Sequence, residues 1–266
     1  MQSLTLRLNP RSVAAPVQRV ATAAAQTVAA SLAAFAEGEL KTPAMGASVV
    51  YQFTFGDHEP TSDARRAMYQ NWLLCKGLQD LARGVHESLE AAFVYTTLVS
   101  KAPNLTTIGK LNSEIEKARN RAQKFNFPDL LNSVTQQFTA PLQFEAELRS
   151  LQDVRNCLEH GGGIVRQRDI NDGTRLTLRF TRRRMFYKLQ TDEEVECIPG
   201  QPITNPEKLV NAPIMLGAVQ ETRSFRVGEA VTLTIGDFGE IVMNCNLCGD
   251  DLVAKLPVLS PPVPPI

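Results

Sequence analysis

Apolar residues recur with a helical period through the first part of the chain. Val13, Val17, Val20, Ala24, Val28, Leu32 and Phe35 fall three or four residues apart, and residues so spaced share one face of an α-helix. The rhythm returns at Met68, Trp72, Leu78, Leu81, Val85, Leu89, Phe93 and Leu98, behind a start signal at Ser62 or Asp63 and ahead of a stop at Pro103. Between these two helices, residues 48–55 (SVVYQFTF) alternate as a short strand does. TTIGKLNSEIEKARNRAQKFNF predicts a third helix with interleaved charges on its outer face, and FPDLLNSVTQQFTAP a shorter fourth. A last helix over 142–160 turns Phe144, Leu148, Leu151, Val154 and Leu158 inward and stops at Gly161, Gly162 and Gly163.

From residue 163 the pattern changes. RLTLRF, RMFYKLQ, EVECI, PIMLGAVQ, RSFRV, AVTLTI and EIVMNCNL are short, rich in β-branched or aromatic residues, and separated by turn-forming NDG, IPG, VGE and GDFGE. The chain therefore reads as α+β. A helical bundle over 1–162 precedes a small antiparallel β region over 163–256, and a proline-rich, extended tail over 257–266 closes the sequence.

Composition narrows the picture. The 266 residues are 43% hydrophobic with a formal net charge of zero, so a sizeable core is affordable and any contact with nucleic acid must come from local clusters of charge. No run of about 18 apolar residues indicates a membrane span. The first helix, rich in Ala and Arg with little acid before Glu37, has the composition of a transit peptide. Its apolar stripe instead favours a retained amphipathic helix laid on the core or a partner subunit. Five scattered cysteines predict free thiols, a reducing compartment and a cytoplasmic location. Cys245 and Cys248 form a lone C-x-x-C without the second ligand pair of a structural zinc site, so neither metal nor cofactor is expected.

The candidate chemistry sits where the last helix ends. Asn156 and His160 are four residues apart on one face, and Arg155 is the neighbour of Asn156. A guanidinium fork suits phosphate, an amide both donates and accepts, and an imidazole moves protons near neutral pH. Arg155 and Glu159 also have the i, i+4 spacing of a plain surface ion pair. Spacing alone leaves both readings open.

RNCLEHGGGIV, residues 155–165, resembles the signature of HEPN domains, an Arg and a polar residue followed at a short interval by His on the last helix of a four-helix bundle. Arg155 and His160, with four residues between, match the short form of that motif, and Asn156 takes its polar position. The resemblance covers about 160 residues in architecture and about a dozen in motif. It implies a metal-independent endoribonuclease that cuts single-stranded RNA at a composite site formed by two copies. Arg155 would stabilise charge on the attacked phosphate, Asn156 would orient that phosphate, and His160 would act as general acid or base for attack by the 2′-hydroxyl. The same resemblance implies roles such as a toxin or antiviral-defence effector held by a regulatory partner. Inactive members of the family imply the alternative, a non-catalytic dimerisation or docking module.

A basic stripe follows the motif. Arg166, Arg168, Arg175, Arg179, Arg182, Arg183, Arg184 and Lys188 stand against only Asp169 and Asp172 within the same stretch, with Phe180, Phe186 and Tyr187 interleaved. Such a stripe can follow an RNA backbone and stack its bases. It also fits the solvated outer face of an antiparallel sheet.

Overall fold

The computed structural model describes residues 8–37, 62–189, 191–198 and 213–258. Six α-helices occur among them: α1 (Arg11–Glu37), α2 (Ser62–Lys101), α3 (Ile108–Ala122), α4 (Phe127–Thr135), α5 (Glu145–Gly161) and α6 (Ile235–Lys255). Three strands, β1 (Arg175–Lys188), β2 (Glu194–Glu196) and β3 (Met215–Arg226), form one antiparallel sheet in the order β2-β1-β3. The architecture is mixed helix and strand. The strand expected over 48–55 and nearly all of the proline-rich tail lie outside the described residues.

The chain divides into two compact units, and the division differs from the expected one. Residues 1–139 and 231–266 make the first, and residues 140–230 the second. The last helix of the proposed bundle, α5, therefore belongs with the sheet. The stretch read as the final strands, AVTLTI and EIVMNCNL, instead forms non-strand chain followed by α6, which returns to the helical unit.

A signal for α6 was present in the residues themselves. Thr234 Oγ1 accepts from the Asp237 N–H at 3.0 Å, and Asp237 Oδ2 accepts from the Thr234 N–H at 3.2 Å, a reciprocal cap that opens a helix. Behind it Phe238, Ile241, Cys245, Cys248 and Leu252 are all buried and share one helical face. The β-branched residues and glycines around them mask this period in sequence.

In the first unit α1 packs against α2 and α6, burying Val13, Val17, Ala21, Ala24 and Val28. Its stripe is thus covered within the unit, with Val20, Leu32 and Phe35 left half-buried at its margin. Pro16 lies inside α1, where its ring disturbs the local hydrogen-bond ladder. The next N–H, of Val17, donates to the buried Ser88 Oγ of α2 at 3.0 Å. Gly84 permits this closeness, since a Cβ there would sit 2.9 Å from Val20 Cβ. The returning chain lands on Asn71, whose Nδ2 donates to the Val231 carbonyl and whose Oδ1 accepts from the Leu233 N–H, both at 3.1 Å.

In the second unit β1 and β3 pair continuously from Arg175↔Arg226 to Phe186↔Met215, whereas β2 covers only Phe186 to Lys188 of β1. Two strands read as separate on each side are therefore single long ones. The stretch of β1 left uncovered by β2 is closed by side chains. Asn171 Oδ1 accepts from the Thr177 N–H at 2.7 Å while its Nδ2 donates to the Thr177 carbonyl at 3.0 Å. Ser150 Oγ of α5 accepts from the Arg179 N–H at 2.9 Å and donates to the Glu147 carbonyl of its own helix at 2.9 Å, with the Arg179 carbonyl farther off at 3.4 Å. These contacts satisfy an edge that would otherwise offer unpaired backbone groups, and they fasten α5 along β1.

The close contact at Gly84 makes a stability prediction. Gly84→Ala should destabilise by about 1–3 kcal/mol, because the added methyl meets Val20. Gly239→Ala, at an exposed position of α6 where a Cβ meets nothing within 4 Å, should be neutral or stabilise by up to about 1 kcal/mol. Urea unfolding of the two variants beside the parent chain checks both signs.

Candidate functional site

Helix α5 ends as its three glycines require. Gly162 takes φ 64° and Gly163 φ 79°, a left-handed turn that glycine enters at little cost. The buried stripe Leu148, Leu151, Val154 and Cys157 points one way. The opposite face carries Gln152, Arg155, Asn156, Glu159 and His160. At about 100° per residue, Arg155, Glu159, Asn156 and His160 follow one another around an arc of roughly 140°.

Hydrogen bonds order most of this face. Asn156 Oδ1 accepts from Gln152 Nε2 at 3.0 Å and from Arg155 Nη1 at 3.2 Å. With its carbonyl taken by two donors, the Asn156 amide N–H₂ is left to donate outward. Arg155 Nη2 lies 2.5 Å from Glu159 Oε2, with both side chains about one-third exposed, so the plain ion pair allowed by the spacing is formed. The His160 side chain is exposed, and its ring makes no hydrogen bond or ion pair among the described residues. Arg155, Asn156 and His160 are thus brought onto one solvent-facing surface. The guanidinium is engaged by a carboxylate, and the imidazole stands at the edge of the network.

The basic stripe is distributed differently from its appearance in sequence. Arg168 Nη2 donates to the His160 carbonyl at 3.1 Å and lies near Asp169, while the Arg166 N–H donates to Asp169 Oδ2 at 2.8 Å. These two arginines flank the end of α5. The strand cations face carboxylates. Arg179 pairs with Asp172 at 2.7 Å, and Lys188 lies 4.0 Å from Asp192. Arg182 pairs with Glu196 and, at 3.3 Å, with Glu221. Arg184 pairs with Glu194 and lies over the Phe186 ring at 4.3 Å from its centroid. Arg183 is exposed on the other face of β1.

Arg182 therefore sits between β2 and β3 in a cross-strand ion-pair ladder of the kind that holds sheet register. It pulls the Glu196 carboxyl below its ordinary range by hydrogen bonding and by charge. The acidic partners were hidden from a local reading because Glu194, Glu196 and Glu221 arrive from other strands. Most of the stripe is thus opposed by carboxylates, and Arg168 contacts the His160 carbonyl.

The cysteines are free thiols, and all but Cys197 are buried. Cys245 and Cys248 lie on the inner face of α6, and no group of three or more His, Cys, Asp or Glu side chains among the described residues could hold a metal ion. No helix there is long and apolar enough to cross a membrane. Burial pushes the Cys157 thiol up to about 11, with Asp169 adding to the rise.

The chain matches no protein-family model, no curated protein and no solved structure.

Burial alone pushes the Cys245 thiol up to about 12 from an ordinary value of 9.0. Below about pH 9 the thiol is protonated in both folded and unfolded chains, and its contribution is fully present. Between about pH 9 and 12 the unfolded chain sheds the proton first, so stability falls as pH rises. Urea titrations of the parent and Cys245→Ala at pH 8, 9.5 and 11 should give a shallower loss for the variant.

Proposed function

We propose that the end of α5 handles an RNA phosphodiester and that the protein is a metal-independent endoribonuclease of HEPN type. The observation that carries this reading is the doubly accepted Asn156 carbonyl, which turns the amide donor outward beside an exposed imidazole and a guanidinium. The RNCLEHGGGIV resemblance supplies the reaction.

The 2′-oxygen of the substrate attacks phosphorus while the P–O5′ bond breaks. One imidazole takes the 2′-hydroxyl proton, and a second delivers a proton to the departing 5′-oxygen. A single chain offers one His160, so the reaction needs a second copy, as the resemblance implies. Asn156 donates to a non-bridging phosphate oxygen, and Arg155 meets the charge that builds there. Glu159 holds the guanidinium until substrate arrives. A partly exposed i, i+4 pair is worth only about 0.3–0.5 kcal/mol, so a phosphate accepting in a two-pronged mode displaces it. Arg166 and Arg168, which follow α5 in the chain, would meet flanking phosphates.

A second reading is favoured by the same Arg155–Glu159 pair. An arginine already neutralised by a carboxylate of its own helix suits a non-catalytic docking or dimerisation surface.

One assay separates them. Purified protein with single-stranded RNA in EDTA should cleave, and His160→Ala should reduce the rate by about 10²–10⁴-fold with no change in thermal midpoint, since the ring has no structural partner. Glu159→Gln, which frees Arg155, should cleave faster or bind RNA more tightly. Cleavage that persists in His160→Ala rejects the catalytic assignment, and intact RNA with the parent chain leaves the docking reading.

A further inference from the structure

The sheet of the second unit closes one of its edges and leaves the other open. Beyond β1, the N–H groups of Thr177 and Arg179 go to Asn171 and Ser150, and the Met185 carbonyl accepts from the Cys197 N–H at 2.7 Å. Odd-numbered residues of β1 thus turn their backbone groups away from β3, and even-numbered ones turn theirs toward it. The register, from Leu176↔Phe225 to Phe186↔Met215, then matches β1 with the odd-numbered residues of β3. Leu216, Ala218, Gln220, Thr222 and Ser224 turn their N–H and C=O groups outward, and all five residues are exposed. Of these groups only the Thr222 carbonyl has a partner among the described residues, Arg223 Nη1 at 3.0 Å.

Strand β3 lacks the devices that blunt such an edge. Its 12 residues, MLGAVQETRSFR, contain no Pro and no Lys, and the unbroken register with β1 leaves no bulge. A long, regular edge of this kind is a template for another strand. The chain joining β2 to β3 carries Pro202, Pro206 and Pro213, a sequence poorly suited to supply that strand, because proline cannot donate to a ladder.

The charges of β3 suit its own reversed copy. When two β3 strands run antiparallel about a two-fold axis through Thr222, Glu221 of each copy lies opposite Arg223 of the other. Thr222 then meets Thr222, and Val219 meets Phe225. Opposite charges and threonine pairs both favour such a cross-strand match. The outward groups of Gln220, Thr222 and Ser224 meet one another, as the antiparallel alternation requires. An axis through Glu221 would set that carboxylate against itself, and one through Gln220 would oppose both charges to Val219 and Gly217. Arg223 already reaches the outer edge, at the Thr222 carbonyl.

We propose that β3 is the self-association surface of this chain, two copies pairing antiparallel about Thr222 to join their three-stranded sheets into one. The contact is separate from the chemistry at the end of α5 and stands whether or not the chain cleaves RNA.

Sedimentation and amide hydrogen exchange of the full chain from about 10 µM to about 1 mM test this, a range suited to a contact smaller than a standard interface. A monomer–dimer equilibrium is expected, with the amides of Gln220, Thr222 and Ser224 gaining protection as dimer forms. Glu221→Arg and Arg223→Glu should each weaken association by about tenfold. An equimolar mixture of the two should associate again, because the arginines of one copy then face the glutamates of the other. Glu221 also meets Arg182, so the thermal midpoint of each variant is measured alongside. Thr222→Pro, which removes an outward N–H and spares the bonds to β1, should weaken association with little change in that midpoint. A chain that stays monomeric at the highest concentration overturns the proposal, as does undiminished association of folded Thr222→Pro. Protection of the three amides that does not change with concentration also overturns it, since the edge would then be covered from within one chain.

Discussion

The hydrogen bond that Ser150 Oγ accepts from the Arg179 N–H helps to fix which face of α5 looks outward. It is worth on the order of 1 kcal/mol, and leaving the strand N–H unmet would cost more. Its larger consequence is geometric. Once Ser150 is held against β1, the buried stripe Leu148, Leu151, Val154 and Cys157 follows by helical periodicity. The face bearing Asn156 and His160 is then committed to solvent. A helix fastened by its side chains to a strand edge is also a stiff mount, and a site built on it keeps its geometry.

Charge in the second unit serves two purposes that the sequence runs together. Arg182 and Arg184 reach carboxylates on neighbouring strands, and their work is done inside the sheet. Arg155 meets a carboxylate one turn along its own helix at a partly exposed position, where the pair is weak and exchangeable. Arg168 holds the His160 carbonyl, so one cation supports the helix end beside which it lies. The distinction is between cations whose loss would loosen register and cations that a ligand can recruit.

Much of this was legible in the residues. The periods of α1 to α5, the glycine stop and the i, i+4 pair of Arg155 and Glu159 are local properties, and local spacing reports them. What escaped depended on distant chain. EIVMNCNL has the composition of a strand, and only the reciprocal Thr234 and Asp237 cap reveals a helix start. The grouping of α5 with the sheet hinges on Ser150 and Asn171 binding a strand edge, which no periodicity encodes. The basic stripe looked unopposed because Glu194, Glu196 and Glu221 are brought to it by strand pairing. Asn156 gained its outward donor from Gln152, a residue that motif reading passes over.

The chemistry proposed for the end of α5 leaves a signature in its product, because attack by a neighbouring 2′-hydroxyl and attack by water give different ends. Mass analysis of the fragments from a defined single-stranded RNA, incubated with the protein in EDTA, reads that signature directly. A 2′,3′-cyclic phosphate on one fragment and a 5′-hydroxyl on the other is the predicted result. Fragments ending in a 3′-hydroxyl and a 5′-phosphate, or no fragments at all, would contradict the account.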